Sequence, residues 1–504
     1  MKRNAWYFFI MLAFTTGLGS CSDNEEETGK VTPDLDGTTY MGLTLVLPSA
    51  KTVKATEDGV YNNAGEYTGV TAIVTLDLYL LSADGNTLLE SKRLTRANGD
   101  YVYGTTPDGA DMIKLTAPFK TTAGDKTMVV IINSPEALMT VAPSNTYLYK
   151  LSSAIPLSSL ARVDQTLSVT TPEGVTVYAD VLTLSGKSSV FTILDNVSSQ
   201  EVTNSGKNTI DLDVTRIPSR AIITTSASST VTATNGDGTT TTLGVISNLT
   251  YSVAQGANAV YLFPQTNPNN TTLSWGYSYL PGPATDYNTT AQNYYDYSDL
   301  QNLTDAIPAK PTDGSQMTLP GKFLLEATHL SGADVSSSRY RKGNTPYILI
   351  RAKFTPNPAQ IVDGGTLTDG TFYIGGTDHL VYSSMAAAQG SSVGVANLTV
   401  YTYTNGKVLY YVWLNPDNIA KPVNSPVIRN NIYHVNINSF KSIGYNWNPL
   451  LPPGSNVHNP DPKPSGPEPE IPVKPDRPLS SSDTYMSVEV KVLKWTVHTY
   501  NIDL

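Results

Sequence analysis

Apolar residues recur at every second position along much of the chain, and this period of two predicts β-strands. Residues 72–81 alternate in this way and run into the turn signal Asp84-Gly85-Asn86. Residues 128–133 are almost continuously apolar, which is typical of a buried strand. Patterns of helical period are scarce, and the best short candidates are residues 158–164 and 299–306. The pattern therefore predicts an all-β protein.

The clearest predicted hairpin spans residues 400–413. Asn405 and Gly406 lie at its centre and favour the positive φ angles of a type I′ turn. Strands spaced by about 8–12 residues with such turns indicate β-sandwich architecture. Since 504 residues are too many for one ordinary core, we expect two domains. The joint is expected near Pro218, with an N-terminal domain at residues 55–215 and a C-terminal domain at residues 216–451.

One short sequence is nearly duplicated. Thr-Tyr-Met occurs at residues 39–41 and again at residues 484–486, and in both places apolar residues follow at alternate positions. The apolar positions of the first copy are Met41, Leu43, Leu45 and Leu47, and those of the second copy are Met486, Val488, Val490 and Val492. We expect two strands that present the same face. Beyond Leu493 the alternation slips, and Trp495 and Val497 share the next face.

A proline-rich segment precedes the second copy. The stretch from Pro449 to Pro478 inclusive holds eleven prolines, so residues 452–482 are expected to form a linker that cannot pair into a sheet. About thirty residues of polyproline-type chain reach roughly 90 Å, whereas a compact body of this size has a radius of gyration of about 20 Å. The terminal segment, residues 483–504, can therefore reach well beyond its own domain.

Two destinations are open for this terminal strand. It can fold back and complete its own C-terminal domain, or it can fill a groove in another copy of the chain. The length of the linker and the likeness to residues 39–47 favour the second. In this hypothesis the first copy is a displaced strand and the second a donor strand, added to the neighbouring copy by backbone pairing. Such a head-to-tail contact propagates into a filament. How the tail beyond Leu493 docks stays open.

The start of the chain predicts export and lipidation. Residues 1–20 combine a basic start, a short apolar run and small residues, as in a secretory signal. Cys21, the single cysteine, follows at once and is expected to carry lipid in an outer-membrane lipoprotein precursor. Residues 21–54 then form a lipid-anchored propeptide that contains the first strand. A maturation protease is expected to cut either after Lys51 or after Lys54, between Lys54 and Ala55, in a polar, turn-rich segment.

Composition excludes several classes of protein. Charged residues make up 15% of the chain and the net charge is −10, which argues against nucleic-acid binding. The five histidines have no metal-ligand spacing, and we expect no metal, no cofactor and no catalytic residue. Residues 294–297 (Tyr-Tyr-Asp-Tyr) provide the main alternative, because tyrosines can stack on sugars and would suit a surface glycan-binding lipoprotein.

Several stretches resemble the fimbrillin family of the Bacteroidales, and in particular its minor-fimbria shaft subunits. They are residues 341–356, 410–416, 424–434, 444–449 and 486–504. The resemblance is dense over residues 320–504 and weaker through the middle of the first domain.

The resemblance implies two transthyretin-like β-sandwich domains, lipoprotein export, proteolytic loss of the first strand and polymerisation by a donor strand. The implied function is a major-type structural subunit of an adhesive cell-surface fimbrium, whose partners are other copies, anchor and tip proteins. The family's processing site in this group is an arginine, but no arginine lies between Arg3 and Arg93, and the aligned position is Lys54. A lysine-directed or trypsin-like enzyme is therefore implied. An anchor or tip subunit is the second alternative.

Overall fold

The structure is a computed structural model of the 504-residue chain. It describes residues 38–48, 72–107, 110–134, 154–170, 176–264, 279–280, 295–310, 321–327, 343–390, 392–414, 427–446 and 486–494. Strands dominate these residues, and the few helices are short. The all-β prediction is confirmed.

The strands fall into two series along the chain. The first series is β1 (Thr38–Val46), β2 (Thr75–Ser82), β3 (Leu88–Thr95), β4 (Tyr101–Thr105), β5 (Asp111–Leu115), β6 (Phe119–Thr122), β7 (Gly124–Ile132), β8 (Ile155–Pro156), β9 (Ala161–Thr170), β10 (Thr176–Leu182), β11 (Leu184–Lys187), β12 (Phe191–Ile193), β13 (Thr209–Asp213) and β14 (Thr215–Arg216). The second series is β15 (Ser219–Thr225), β16 (Thr230–Thr234), β17 (Thr240–Ala254), β18 (Gly256–Ala257), β19 (Ala259–Val260), β20 (Tyr295–Asp296), β21 (Gly321–Leu324), β22 (Tyr347–Pro356), β23 (Phe372–Gly375), β24 (Val381–Tyr382), β25 (Val400–Tyr403), β26 (Lys407–Trp413), β27 (Asn431–Phe440), β28 (Tyr445–Asn446) and β29 (Met486–Lys494).

The described helices are α1 (Leu157–Leu160), α2 (Ser199–Ser205) and α3 (Met385–Gln389). Single turns of 3-10 helix occur at Arg96–Asn98, Ser298–Gln301, Pro358–Gln360 and Thr404–Gly406. The predicted helix at residues 158–164 is one turn long, because the chain enters β9 at Ala161. The predicted helix at residues 299–306 is likewise a single 3-10 turn. Isolated turns of this length depend on tertiary contacts, since helix nucleation is costly.

Two sheets of the first series face each other. One sheet has the order β13-β1-β5-β4, with β6 also on β1, and the other has the order β14-β11-β7-β2-β3, with β12 on β7. Leu45 from the first sheet and Leu78 and Val130 from the second belong to one buried cluster. The alternation of each strand points its apolar side chains into this cluster, as in a β-sandwich.

The second series builds a second pair of sheets in the same way. The orders are β21-β15-β27-β29 and β16-β17-β22-β26-β28. Ile223 and Val435 of the one sheet share a core with Ile350 and Tyr410 of the other. The opposite face of β22 and β26 is apolar too, and the segment around β20 covers it.

The predicted hairpin at residues 400–413 is wrong, although its turn is right. Asn405 and Gly406 adopt φ angles of 54° and 70°, as the Asn-Gly sequence predicts. However, β25 pairs with β23, whereas β26 pairs with β22 and β28. The turn therefore carries the chain from one sheet to another. Turn chemistry specifies a local reversal but not the partner of the strand that follows.

The chain passes between the two sandwiches at Ile217 and Pro218, because β14 pairs with β11 and β15 pairs with β21 and β27. The division into domains at residue 216 stays a prediction. At this junction Asp180 Oδ2 lies 3.7 Å from Arg220 Nη1, beside the fully buried Arg216. Burial raises the pKa of Asp180 to about 6, although the two guanidinium groups lower it.

A second cationic contact joins the segments near this junction. Arg429 pairs with Glu326 and donates to the carbonyls of Leu262 and Tyr261, each at 3.0 Å. Its guanidinium also lies 3.6 Å from the ring centroid of Tyr279. One planar side chain thus holds three separate stretches of chain.

The groove of the first strand

The strand β1 is hydrogen-bonded along both of its edges. Residues 38–41 pair antiparallel with β6, and residues 42–46 pair parallel with β13. The last three of these residues also pair antiparallel with β5. At the centre, Leu45 lies between Leu212 of β13 and Ile113 of β5. We call the space that β1 occupies between β5, β6 and β13 the β1 groove.

Every predicted displaced-strand residue fills the core beneath this groove. Met41, Leu43, Leu45 and Leu47 are each at most 1% exposed. The intervening Thr44 and Val46 are only partly buried. Burial of four large apolar side chains is worth a gross ~6–12 kcal/mol, at ~1.5–3 kcal/mol each. The β1 strand is therefore an integral part of the first sandwich.

The N-terminal end of β1 is held by polar contacts. Thr39 is completely buried, and its hydroxyl donates to the carbonyl of Leu194 at 2.8 Å. The same oxygen accepts from the backbone N–H of Val197 at 3.0 Å and from the side-chain amide of Asn208 at 3.3 Å. We call these three partner groups the Thr39 socket. The Asn208 amide also donates to the carbonyl of Tyr40 at 3.0 Å.

The socket is built on a structured loop. Ser198 caps α2 in a capping box with Glu201, which fixes where the helix starts. Gly206 ends the helix at a φ of 70°, and Asn208 follows at a φ of 54°. Two residues in the left-handed region turn the chain back towards β1. The partner groups of Thr39 are consequently set in place by local backbone geometry.

Gly42 lies at the narrowest point of the groove. A Cβ at this position would lie 2.8 Å from Oγ1 of Thr209 and 3.0 Å from Cγ1 of Val202. Its N–H donates to the carbonyl of Asn208 at 3.1 Å. A side chain here requires Thr209 to shift, and threonine is branched at Cβ and restricted in χ1. The close approach of β13 and α2 explains the glycine.

At the other end, β1 leaves the sheet close to the predicted cut. Leu47 donates its N–H to the carbonyl of Asp111 at 2.9 Å. The predicted cleavage residues Lys51, Lys54 and Ala55 and the lipidation residue Cys21 lie outside the described residues, as do Trp495 and Val497. Their roles stay predictions.

Of the predicted donor strand, residues 483–504, the structure describes residues 486–494, which form β29 and lie along β27 of their own chain. The pairing is antiparallel, with Val488 opposite Ile437, Val490 opposite Val435 and Val492 opposite Tyr433. In this single chain the strand thus takes the first of the two destinations that the sequence leaves open. Its transfer to another copy stays a prediction.

Two of the three proposed sugar-stacking tyrosines are buried, and the third, Tyr294, lies outside the described residues. Tyr295 and Tyr297 are 8% and 5% exposed and belong to the aromatic cluster that covers β22 and β26. Tyr297 donates its hydroxyl to Oε1 of Gln255 at 3.1 Å. The idea that these two rings form a glycan platform is wrong, because alternating tyrosines pack a core as readily as they form a surface.

Within the part of the chain that the structure describes, no group of three His, Cys, Asp or Glu side chains could hold a metal ion. The helices of that same part are all too short or too polar to cross a membrane.

Sequence reasoning assigned roles to the apolar positions of β1 but missed Thr39 and Gly42. Thr39 was visible as the first residue of the repeated Thr-Tyr-Met, and a repeated polar residue in an otherwise apolar pattern is a signal for a specific partner. Gly42 has no such signal, since its counterpart in the second copy is Ser487.

The chain is similar in sequence to fimbrial subunits of known name. The family model described as "Major fimbrial subunit protein type IV, Fimbrillin, C-terminal" matches residues 401–501. Two proteins named minor fimbrium subunit Mfa1, both from Porphyromonas gingivalis, are 32% and 31% identical to this chain over alignments of 534 residues that cover 100% of each sequence. A solved putative cell adhesion protein from Parabacteroides distasonis is 13% identical, covers 91% of this chain and 98% of that chain, and has a TM-score of 0.41.

Proposed function

Because the chain belongs to the Bacteroidales fimbrillin family, we propose that it forms a fimbrial shaft in which each copy donates its C-terminal strand to the β1 groove of the next. The protein is a fimbrial subunit of cell-surface fimbriae, and its relatives are structural subunits rather than enzymes. The further steps of the proposal are export as a lipoprotein through Cys21, removal of β1 by a protease, and adhesion by the assembled filament.

The observation that carries the proposal is that β1 is a buried, doubly paired strand whose pattern is repeated at residues 484–492. Aligning the two copies on Thr-Tyr-Met places Met486 at the position of Met41. Val488, Val490 and Val492 then take the places of three leucines, so every core position receives an apolar side chain.

Charge also fits this alignment. Lys491 takes the place of Val46, whose partner in the register of β13 is the exposed Asp213. Glu489 takes the place of Thr44, which lies between Asp211 of β13 and Lys114 of β5. Opposite charges on neighbouring strands contribute roughly 0.2–1 kcal/mol. The Lys491 pairing is therefore favourable, and the two neighbours of Glu489 offset each other.

The sizes of the side chains explain why a cut is needed first. Each valine lacks one methylene relative to the leucine it replaces, at about 0.8 kcal/mol each, so three positions weaken the donor by about 2.4 kcal/mol. The resident β1 also has the advantage of being part of the same chain. Exchange becomes favourable only after cleavage near Lys54 makes β1 a separate segment that can be diluted away.

The linker supplies the reach for exchange. The strand β29 lies at the edge of its sheet, on β27, and leaving that edge breaks one row of backbone pairing. In the β1 groove the same strand would be paired along both edges, as β1 is. The gain in backbone hydrogen bonds favours the intermolecular position over the intramolecular one.

The test uses cells able to process the precursor. Replacing Val488 and Val490 together by Asp should abolish surface filaments, whereas Glu489→Gln at the intervening, partly exposed position should leave them intact. A secreted, protease-resistant monomer of the Asp variant would show that folding survives. Filaments of normal length from the Asp variant, or from a chain lacking residues 484–504, would refute the donor-strand proposal.

A separate variant tests maturation. Replacing Lys51 and Lys54 together by Gln should leave β1 attached and the precursor unpolymerised, as measured by N-terminal sequencing and filament counts. An unchanged mature N-terminus in this variant would contradict the assigned cut site.

A further inference from the structure

The Thr39 socket is a polar site within an apolar groove, and it constrains whatever strand occupies the groove. Its two backbone groups, the Leu194 carbonyl and the Val197 N–H, both bond to the Thr39 hydroxyl, which is completely buried. An occupant without a hydroxyl at this point would leave the buried Val197 N–H without this partner, whereas the Leu194 carbonyl would keep its hydrogen bond from the Asn208 amide at 2.9 Å. The loss at the Val197 N–H costs roughly 1–3 kcal/mol.

We propose that Thr484 from a second copy enters the Thr39 socket and thereby sets the register of the incoming strand. The inference rests on the proposed strand exchange. It adds a polar specificity determinant, because a slip of two residues preserves the alternation of apolar and polar positions along most of the strand.

Comparison of the possible registers supports this assignment. A slip of one residue turns Glu489 and Lys491 towards the core, where β1 has fully buried leucines. A slip of two residues in one direction puts Met486 against the polar groups of the socket. A slip of two in the other direction puts Ser482 in the socket but forces Thr484 into the place of Met41, which is 0% exposed. Only the aligned register supplies both a hydroxyl for the socket and a methionine for the core.

The narrow point at Gly42 acts in the same direction. In the aligned register Ser487 lies there, and its Cβ would meet Oγ1 of Thr209 at 2.8 Å and Cγ1 of Val202 at 3.0 Å. Both contacts are with side chains rather than backbone, so a small residue is accommodated by a shift of Thr209 and Val202. A slip of two residues would place Glu489 or Tyr485 at this point, and neither fits beside β13 and α2. The socket and the narrow point therefore select one register together.

The experiment measures binding of a strand to its groove. The protein used is the chain from residue 22 onwards, which lacks Cys21, with a specific protease site inserted among residues 49–54. Cleavage at this site makes β1 a separate segment that can exchange. A fluorescent peptide of residues 480–504 is then added, and its affinity is read by anisotropy. The peptide with Thr484→Val should bind about ten- to a hundred-fold more weakly, whereas Thr484→Ser, which keeps the hydroxyl, should bind within about threefold of the unaltered peptide. Ser482→Ala is the matched control and should have no effect.

A variant of the socket separates specific contact from general strand propensity. Asn208→Gly removes the side-chain amide but suits the φ of 54° at this position. If Thr484 enters the socket, the loss caused by Thr484→Val should differ between the Asn208→Gly chain and the unaltered one, because the Asn208 amide bonds both the threonine hydroxyl and the Leu194 carbonyl. Purely additive losses would overturn the inference.

The outcomes distinguish the inference from the function on which it rests. Equal binding by the Thr484→Val and unaltered peptides, with binding abolished by Val490→Asp, would overturn the register assignment and leave strand exchange intact. No binding of the unaltered peptide would overturn both.

Discussion

Leu45 offers a quantitative test of how strongly β1 belongs to the first sandwich. It is 1% exposed and lies between Leu212 and Ile113 in the centre of the sheet. Truncation to Ala removes about three carbon groups from the core, worth about 2.4 kcal/mol at 0.8 per methylene. Tight packing on both sides prevents collapse of the cavity, so the total loss should reach about 3 kcal/mol. Thr44→Ala, on the partly exposed face of the same strand, is the matched control and should cost less than about 1 kcal/mol.

The assay has an equilibrium part and an exchange part. Urea unfolding of the uncut chain from residue 22 should show the loss of about 3 kcal/mol for Leu45→Ala in the transition of the first sandwich. After cleavage, β1 is a bound segment, and a loss of this size corresponds to about a hundredfold weaker binding. The donor peptide should therefore displace Leu45→Ala β1 at far lower concentrations than it displaces the unaltered strand.

A loss indistinguishable from that of Thr44→Ala would refute the reasoning. It would mean that Leu45 does not contribute to the core as the structure describes. Easier unfolding without easier displacement would instead refute the idea that the donor and β1 compete for one groove.

Two further predictions concern the junction between the sandwiches. Burial raises the pKa of Asp180 to about 6, above the unfolded value of about 4, so this group makes the free energy of unfolding fall as the pH rises from about 4 to about 6. Asp180→Asn should remove that part of the pH dependence, measured as the urea midpoint at each pH. An unchanged pH dependence would contradict the assignment. Arg429→Lys should lower the free energy of unfolding by roughly 2–4 kcal/mol, measured by urea denaturation, because an ammonium group cannot donate to Glu326 and two backbone carbonyls at once. The control Lys207→Met, which removes the exposed partner of Glu201, should cost less than about 1 kcal/mol. Equal losses would contradict the role assigned to Arg429.

The alternation of apolar residues predicted several strands of the core and the burial of their inward-facing side chains. Leu43 and Leu45 follow a strict period of two, and both are buried as expected. The class of the fold follows from the same pattern, because a half-apolar strand has to bury one face against another sheet.

Pairing partners were beyond the reach of this reasoning. Leu45 pairs with Leu212, which is far away in the sequence, and no local signal connects the two residues. The same limit explains the wrong hairpin at residues 400–413, where Asn405 and Gly406 turn the chain correctly into a strand of another sheet. The Thr39 socket depends on a loop near residue 197 that meets β1 only in the folded sandwich.

The pairing of β1 along both edges has a consequence for the life of the subunit. If β1 left an otherwise folded chain, β5 and β13 would each expose a row of backbone donors and acceptors, with a trough of uncovered core between them. The exposed strand edges of such a chain would bind extended peptides non-specifically, including C-terminal strands of other copies in the wrong register. If strand exchange occurs as proposed, the core is exposed least when the old strand leaves as the new one arrives, one residue pair after another. The empty subunit would then never accumulate, and the growing end of the filament would be the only place where a vacancy is ever opened.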